Sequence, residues 1–407
     1  YLRKYLNYYN ISIEEATPQI LEDQFNLIQN HKPDIIGFTC VTAEYNHISK
    51  LAQMVKEEMG IPIIIGGHHI SPLPHTLPKH IDIAILGEGE ETIRELMQAY
   101  LNRGRIEIQD LEKIDGIAYH DGDQIKISPR RTQISPLDKI PFPSRDLFDI
   151  KHYLKAGRSL SSLQYPIDSA ATITSSRGCP YNCIYCSSRA FWQTYRFFSA
   201  EYVVAEIKML VNEYNIDTIS INDDLFIGNK ERLKKIVQLI EEEKINQKVK
   251  FWVSARANIF DEETADLLKK MNVFHIGFGF ESASEKVLQY LKRNTVTVEQ
   301  NKKACFLAKK YGFRVESGII VGSPNESVED MRKTYNFIKD FPVDAFGACI
   351  LTPLPGAPLW EEAKKRGLVS DDMDFNKIWD FDILTVLEKK DKIVLMIEAM
   401  TREEFFQ

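Results

Sequence analysis

The sequence lacks any apolar run long enough to cross a membrane. Its longest apolar stretches, residues 61–65 and 318–321, are far shorter than the roughly 18 residues that a spanning helix needs. No signal peptide is predicted from the first ten residues, because they contain neither an apolar core nor a cleavage site. We therefore expect no membrane span. Since the chain starts at Tyr1 rather than at Met, we also expect further sequence upstream.

An excess of positive charge is lacking as well. The 407 residues contain 51 Lys and Arg against 58 Asp and Glu, which gives a formal net charge of -7. Because no strongly basic stretch offsets this balance, the sequence does not predict a nucleic-acid partner. Hydrophobic residues make up 44% and charged residues 27%, as in ordinary globular proteins, and the length suits two or three domains.

Cysteine is scarce, with six residues in the chain, which argues against a disulfide-rich secreted scaffold. We therefore expect a reducing, cytoplasmic compartment. Cys40 and Cys349 occur in strand-like runs and Cys305 in a helix-like run, where a cysteine acts as a small buried hydrophobe. The other three cysteines fall close together and need a different explanation.

Residues 1–103 alternate short apolar runs with amphipathic helical patterns. Strands are predicted at 34–40, 61–65 and 81–86, and helices at 18–31, 43–59 and 90–101. Short apolar strands between helices indicate a parallel sheet covered on both faces, that is, a doubly wound α/β domain of the flavodoxin or Rossmann type. A helical pattern at residues 1–9 has no strand before it, so we expect the first strand to lie upstream of Tyr1.

The rest of the chain divides into a linker, a larger repeated unit and a tail. Residues 104–168 contain a hairpin signal around Gly122 and then a Pro-rich connector, which we interpret as an inter-domain linker. Residues 169–365 repeat strand and helix, which indicates a partial (β/α)6 TIM-type barrel with its chemistry at the C-terminal strand ends. Its strands are predicted at 171–175, 218–222, 250–255, 273–280, 313–321 and 345–351. Residues 366–407 are predicted to form a helical C-terminal extension.

The three remaining cysteines, Cys179, Cys183 and Cys186, have the spacing C-x3-C-x2-C directly after the first barrel strand. Three thiolates on one tight loop can hold three irons of a [4Fe–4S] cluster and leave the fourth iron open. A structural zinc site normally needs a fourth ligand, and no further Cys or His lies within twenty residues. Disulfide pairing would leave one thiol over. Gly178 allows a close backbone approach, and Pro180 stiffens the loop.

The cysteine loop, with Tyr185 just before its last cysteine, resembles the radical S-adenosylmethionine (SAM) superfamily. Further segments are similar to the motifs of that superfamily in the expected order, namely 219–226, 251–258, 277–288, 318–326 and 352–360. One position departs from the pattern, because Asn325 stands where the fifth-strand motif has its last glycine. Asn tolerates a left-handed backbone better than other residues, so we expect the turn to survive.

The resemblance implies that SAM binds at the open iron and is cleaved reductively to a 5′-deoxyadenosyl radical. It also implies an electron donor such as flavodoxin or ferredoxin. The residues implied to contact SAM are Tyr185, Asp223, Asp224, Ser254, Arg256, Glu281 and Ile320. From the residues alone other roles remain open: the two aspartates suit the cap of a helix near Asn229, Arg256 suits a structural ion pair, and Ile320 suits the core.

The front domain resembles the cobalamin-binding domain that precedes many radical SAM barrels. The implied cobalamin contacts follow the predicted strands and are Thr39, Val41, Thr42, Gly66, Gly67, His69, Gly87, Glu88 and Gly89. The D-x-H-x-x-G segment that supplies an axial histidine in other cobalamin proteins is absent from the sequence. His68, His69 and Glu88 also suit plain loop and helix-terminus roles.

The function that these resemblances imply is cobalamin-dependent methyl transfer to an unactivated carbon or phosphorus of a small molecule or peptide. A cyclase or oxidase built from the same parts is the first alternative. A methylthiotransferase is disfavoured, because its front domain would carry three cysteines and this one has only Cys40. A non-catalytic iron–sulfur or corrinoid-binding protein would not need the SAM motifs.

The aromatic residues of segment 187–198 suit either of two roles, packing around the cysteine loop or contact with a hydrophobic substrate.

Overall fold

The computed structural model describes residues 13–147, 149–150, 154, 169–378, 390 and 393–406. The chain divides into two compact units, the first made of residues 1–133 with 369–378 and the second of residues 134–368 with 379–407. The predicted helix at residues 1–9 lies outside the described residues. Within them, no helix combines the length and the apolar character that a membrane crossing requires.

The first unit is built on a five-stranded sheet in the order β1-β2-β3-β4-β5. Its strands are β1 (Ile36–Thr39), β2 (Ile63–Gly66), β3 (Ile83–Ile85), β4 (Ile117–Asp121) and β5 (Gln124–Ile127). The first three are parallel, which confirms the predicted doubly wound core, and the last two are antiparallel. The sequence places the β4–β5 hairpin in the linker. In the structure it extends the sheet, because Ile83 and Ile85 pair with Tyr119 and Ile117.

Among the described residues of this unit there are four helices: α1 (Ile13–His31), α2 (Tyr45–Met59), α3 (Glu90–Arg103) and the short α4 (Ile108–Leu111). The helices α2 and α3 end at Gly60 and Gly104, whose left-handed φ values of 66° and 70° suit glycine. Isoleucines of the central strands are buried on both faces of the sheet, including Ile63, Ile64 and Ile65. This double burial explains why the strands read as continuous apolar runs.

The second unit contains a six-stranded parallel sheet in the order β13-β12-β11-β10-β9-β6. Its strands are β6 (Ala170–Ile173), β9 (Thr218–Ile221), β10 (Lys250–Ala255), β11 (Val273–Glu281), β12 (Arg314–Val321) and β13 (Ala345–Ile350). A separate ribbon pairs β7 (Ser176–Arg177) with β8 (Arg196–Phe197). Each main strand lies beside its successor, so the predicted partial barrel is confirmed.

The described helices of the second unit lie between its strands or after the last of them. They are α5 (Ser188–Trp192), α6 (Ala200–Tyr214), α7 (Lys230–Glu242), α8 (Glu262–Lys270), α9 (Glu285–Lys292), α10 (Val298–Lys310), α11 (Val328–Asp340), α12 (Pro358–Lys365) and α13 (Arg402–Phe406). Side-chain caps start several of them: Ser199 accepts from Tyr202 N, and Thr297 with Gln300 forms a capping box. Alternate residues of β11 lie on one face of the strand and are buried in the main core, namely Ile276, Phe278 and Phe280.

The described part of the tail is only partly helical, with the helix Arg402–Phe406 near its end. Among its described residues, 369–378 join the first unit and contain only the short 3-10 turn Phe375–Lys377. Residues 393–406 stay with the second unit, where Ile393 and Leu395 are buried beside Ile350. Apolar contacts decided this division, because Phe375 is buried against aromatic side chains of the first unit.

Candidate active site

The cysteine loop lies at the C-terminal edge of the six-stranded sheet, after β6 and the short strand β7. Gly178 has φ +83°, and a Cβ there would lie 2.5 Å from Thr194 O, so the close backbone approach expected of this glycine is present. Cys183 is buried, while Cys179 and Cys186 are half-buried, and all three thiols are free. Backbone hydrogen bonds anchor the loop, since Ile184 N donates to Leu291 O and Leu359 N donates to Ile184 O.

The donor set suits an iron–sulfur cluster better than a single ion. Among the described residues, no three His, Cys, Asp or Glu side chains converge closely enough to hold one metal ion. A [4Fe–4S] cluster binds each thiolate through a different iron, so its ligands need not converge on one point. Burial raises the pKa of Cys186 to about 11 and also raises that of Cys179. A cluster that takes up these thiolates therefore releases protons.

Asp223 holds the backbone that leads into the cysteine loop. Its Oδ1 accepts from Ser175 N at 2.6 Å and Ser176 N at 3.1 Å, and its Oδ2 accepts from the two serine hydroxyls at 2.6 and 2.7 Å. The side chain is buried, and desolvation raises its pKa although these bonds oppose the shift. Both oxygens are thus engaged within the protein, and a contact between Asp223 and SAM stays a prediction.

Asp224 contacts Ser188 after the cysteine loop and does not cap the helix that begins after Asn229. Ser188 Oγ donates to its Oδ2, while Asn229 caps the following helix by accepting from Arg232 N at 3.0 Å. The Asp224 carboxylate also adds to the raised pKa values of Cys179 and Cys186, after burial as the main cause. The capping alternative is therefore wrong for both aspartates, because Asn229 itself fills that role.

Tyr185 and Glu281 meet in a buried cluster that includes Lys292. Tyr185 Oη donates to Glu281 Oε1 at 2.8 Å, and Lys292 Nζ donates to the same oxygen at 2.7 Å. Glu281 ends β11 with a left-handed φ of 60°, and a Cβ at Gly279 would lie 2.3 Å from its Oε1. Burial and then the Glu281 carboxylate raise the pKa of Tyr185 well above its usual value, so the phenol stays a donor.

Arg256 leaves the end of β10 and reaches the cysteine loop. Its Nη1 donates to Cys183 Sγ at 3.5 Å, its Nε donates to Asn258 Oδ1 at 3.0 Å, and its guanidinium carbon lies 3.8 Å from the centre of the Tyr181 ring. Its Nη2 donates to Thr295 Oγ1. A structural ion pair, the alternative from the sequence, is not what the structure shows here, because the partners of Arg256 are neutral side chains and a cysteine.

The two other predicted SAM contacts lie near the C-terminal ends of two barrel strands. Ser254 of β10 is exposed and pairs in register with Gly277 of β11, while Ile320 of β12 is half-buried and pairs with Cys349. The departure at Asn325 causes no strain. In that loop the left-handed residue is Gly322, with φ +91°, and Asn325 is not among the residues with positive φ.

Sequence reasoning missed Lys292, Thr295 and Glu326. Lys292 follows Leu288 by four residues on the buried face of α9, so a lysine in an apolar stripe was an available signal. Glu326 is fully buried, and its Oε2 accepts from Gly322 N at 2.6 Å and Ser323 N at 3.2 Å. Burial raises its pKa to about 7, and it closes the loop after β12. Thr295 carried no signal in the sequence.

The aromatic residues of 187–198 mainly pack, as one of the two interpretations expected. Phe198 is buried and stacks on Tyr202 with ring centres 4.5 Å apart. Tyr195 packs against the same core, and its ring lies 4.3 Å from that of Phe197. Trp192 remains half-buried beneath the Arg177 guanidinium, 5.2 Å away. The packing of these rings supports the cysteine loop from its C-terminal side.

In the first unit, the nine predicted cobalamin contacts separate into buried and accessible residues. Thr42 and His69 are buried, and His69 packs between Tyr45 at 3.9 Å and Phe375 at 4.5 Å. Burial lowers the pKa of His69 to about 3, and its Nε2 has no hydrogen-bond partner. Gly67 has φ +106°, and a Cβ there would lie 2.6 Å from Cys40 O.

The accessible residues among the predicted cobalamin contacts lie at or just after the C-terminal ends of the parallel strands. Thr39 and Val41 are exposed, and the strand-end residues Gly66, Gly87, Glu88 and Gly89 are half-buried. A Cβ at Gly87 would meet no heavy atom within 4 Å, so space is open beside this glycine. An edge of this kind, with an exposed apolar side chain and little steric bulk, fits the approach of a large flat ring.

Two protein families match this chain. The family model of the radical SAM superfamily matches residues 173–338, and that of the B12 binding domain matches residues 3–97. The radical SAM match includes every cysteine of the loop, together with Asp223, Arg256 and Glu281. The first domain implies a [4Fe–4S] cluster and SAM as cofactors, and the second implies cobalamin.

Individual relatives point the same way. An uncharacterized methyltransferase of Pyrococcus horikoshii is 33% identical over 85% of this chain and 73% of its own length. The anaerobic magnesium-protoporphyrin IX monomethyl ester cyclase of Rubrivivax gelatinosus is 29% identical over 90% of this chain and 65% of its own length. The chain thus spans about two thirds to three quarters of these relatives.

A solved structure matches the fold. The radical SAM methyltransferase TsrM from Kitasatospora setae superposes with a TM-score of 0.70 at 18% identity, over 85% of this chain and 69% of TsrM.

Proposed function

Because this chain belongs to the radical SAM superfamily and carries a B12-binding domain, we propose that it catalyses cobalamin-dependent methyl transfer. The acceptor would be an unactivated carbon or phosphorus of a small molecule or peptide. The observation that carries this proposal is the cysteine loop at the C-terminal edge of the parallel sheet, with Asp223, Arg256 and Glu281 arriving there from three successive strands. Bound cofactors would supply a carbon-centred radical and a methyl group.

In this proposal the residues of the second unit hold and shield the cofactors. Cys179, Cys183 and Cys186 hold three irons and leave one open for SAM. Asp223 fixes the strand end through Ser175 and Ser176. Of the remaining predicted SAM contacts, Tyr185 lies on the cysteine loop, Asp224 follows β9, and Ser254 and Ile320 lie near the C-terminal ends of β10 and β12, which supports a shared SAM site.

The first unit would bind cobalamin along its open strand edge. Thr39, Val41 and the segment 87–89 offer accessible surface there, and the glycines allow close approach. The buried, neutral imidazole of His69 would support this edge by packing rather than bind cobalt. An electron donor such as flavodoxin or ferredoxin would reduce the cluster.

Ring closure is the second candidate, since one relative that matches most of this chain is a cyclase. Both reactions would begin with the same radical, so the site residues described above serve either one. Product analysis separates them. Methyl-labelled SAM transfers its label to the substrate in methyl transfer, whereas ring closure yields 5′-deoxyadenosine without transfer of the label.

Anaerobic reconstitution of the chain with iron, sulfide and hydroxocobalamin, followed by desalting, tests the proposal directly. We expect about four irons and one corrin per chain in an iron assay and an absorbance spectrum. Cys183→Ala should lose the cluster absorbance, while Cys305→Ala, a buried cysteine outside the loop, should keep it. Iron retained by Cys183→Ala would contradict the ligand assignment. Iron without corrin would remove cobalamin from the proposal.

A further inference from the structure

Arg256 is fixed in place by side chains from three separate segments. Its Nε donates to Asn258 two residues along the same strand exit, at 3.0 Å, and its Nη2 donates to Thr295 beyond α9. The face of the guanidinium lies over the Tyr181 ring of the cysteine loop at 3.8 Å. These contacts leave the guanidinium plane little freedom, because the ring stacking fixes its orientation and the hydrogen bonds from two of its nitrogens fix its position.

The residues that hold Arg256 are themselves held. Asn258 Nδ2 donates to Tyr181 Oη at 2.9 Å, so the same amide contacts both the arginine and the ring beneath it. Thr295 Oγ1 donates to Lys292 O, which ties the arginine to the end of α9. The result is a small polar clamp, made of Arg256, Asn258, Thr295 and Tyr181, around one side of the cysteine loop.

The remaining contact of the clamp is with a cluster ligand. Arg256 Nη1 donates to Cys183 Sγ at 3.5 Å, across 73 residues of sequence. An N–H donor and a positive charge beside a cysteine sulfur stabilise the cluster state with more negative charge, which is the reduced state. We propose that Arg256 is a positioning residue that donates to the Cys183 thiolate and raises the reduction potential of the cluster.

This role differs from the one that the sequence suggested, a contact between Arg256 and the carboxylate of SAM. It rests on the proposed function, because it requires the cluster to be bound. The two roles predict different measurements. A donor to Cys183 changes the potential of the cluster in the absence of SAM, whereas a carboxylate ligand changes only the affinity for SAM.

The experiment compares reconstituted wild-type chain with Arg256→Gln, Arg256→Lys and the control Arg332→Gln, an exposed arginine on α11. Iron content is measured first. A redox titration without SAM, followed by the electron paramagnetic resonance signal of the reduced cluster, then gives each midpoint potential. Equilibrium dialysis with SAM gives each affinity.

For Arg256→Gln we expect the ratio of reduced to oxidised cluster at a fixed solution potential to fall about tenfold, a shift of about 59 mV for one electron. Arg256→Lys should recover part of this shift, because it keeps the charge but not the planar fork. Arg332→Gln should match the wild type. An unchanged midpoint in Arg256→Gln, with a loss of SAM affinity, would overturn the inference in favour of the carboxylate role.

Thr295→Val keeps the inference testable if Arg256→Gln fails to hold iron. This variant leaves the arginine in place and removes the anchor of its Nη2, so we expect a smaller fall in potential. A wild-type midpoint in Thr295→Val, together with loss of iron in Arg256→Gln, would mean that the arginine only supports the loop. If the wild-type chain itself binds no iron, the proposed function fails, and this inference fails with it.

Discussion

Asp223 offers the clearest test of how the cysteine loop is held. It is 6% exposed, and its two oxygens accept four hydrogen bonds from Ser175 and Ser176 at 2.6 to 3.1 Å. In Asp223→Ala, two buried backbone N–H groups lose their acceptor, at about 1–3 kcal/mol each. The hydroxyls of the two buried serines also lose their acceptor. We therefore expect Asp223→Ala to lower the free energy of unfolding of the second unit by about 3–5 kcal/mol.

Asp223→Asn separates the geometry of this network from its charge. The amide oxygen can accept from both backbone N–H groups, and the amide nitrogen can donate to both serine hydroxyls, which then act as acceptors. The charge assistance is lost, but so is the desolvation cost that raises the pKa of this carboxyl, so we expect a smaller cost than for Asp223→Ala, under about 2 kcal/mol. Anaerobic urea unfolding followed by circular dichroism measures both variants. The control is Asp266→Asn, a surface aspartate paired with Lys270, which should change stability by less than about 0.5 kcal/mol.

Two results would refute this reasoning. If Asp223→Ala is as stable as Asp266→Asn, the four bonds do not hold the strand end. If Asp223→Asn is fully stable and holds iron but loses SAM affinity, then Asp223 contacts SAM, as the sequence resemblance implies. A stable fold with reduced iron content in Asp223→Asn would support its role in positioning the loop.

Two further predictions follow from buried charges and a buried histidine. Lys292→Met leaves Glu281 buried without its counter-ion, so the free energy of unfolding measured in urea should fall by about 3–5 kcal/mol. The surface variant Lys303→Met is the control and should lower it by less than about 1 kcal/mol. Equal losses of stability in the two variants would contradict a buried ion pair. His69 has its pKa lowered by burial from 6.5 to about 3, so the unfolded chain takes up its proton first as the pH falls. His69 should therefore contribute a decline in the stability of the first unit of about 1.4 kcal/mol per pH unit below pH 6.5. His69→Gln should remove that contribution, and an unchanged slope would exclude His69 as a source of it.

The sequence by itself determined the parallel sheets and the place of the chemistry. Short apolar runs between helical patterns specify buried parallel strands, and the six strands of the second unit lie close to their predicted positions. The C-terminal ends of parallel strands meet at one edge. A cysteine loop after β6 and polar residues after β9, β10 and β11 therefore had to come together. This inference requires only the order of strands and helices along the chain, which the spacing of apolar residues indicates.

Tertiary structure alone decided what each of those side chains touches. Nothing in the sequence indicated that the Asp223 carboxylate turns to Ser175 and Ser176, or that Lys292 reaches Glu281. Phe375 covers His69, although the tail was expected to be a separate helical extension. These contacts depend on loop conformation, left-handed residues such as Glu281 and partners that are distant in sequence. Hydrophobic periodicity carries no information about such pairings, because it reports which face of an element is buried and not which polar atom lies opposite.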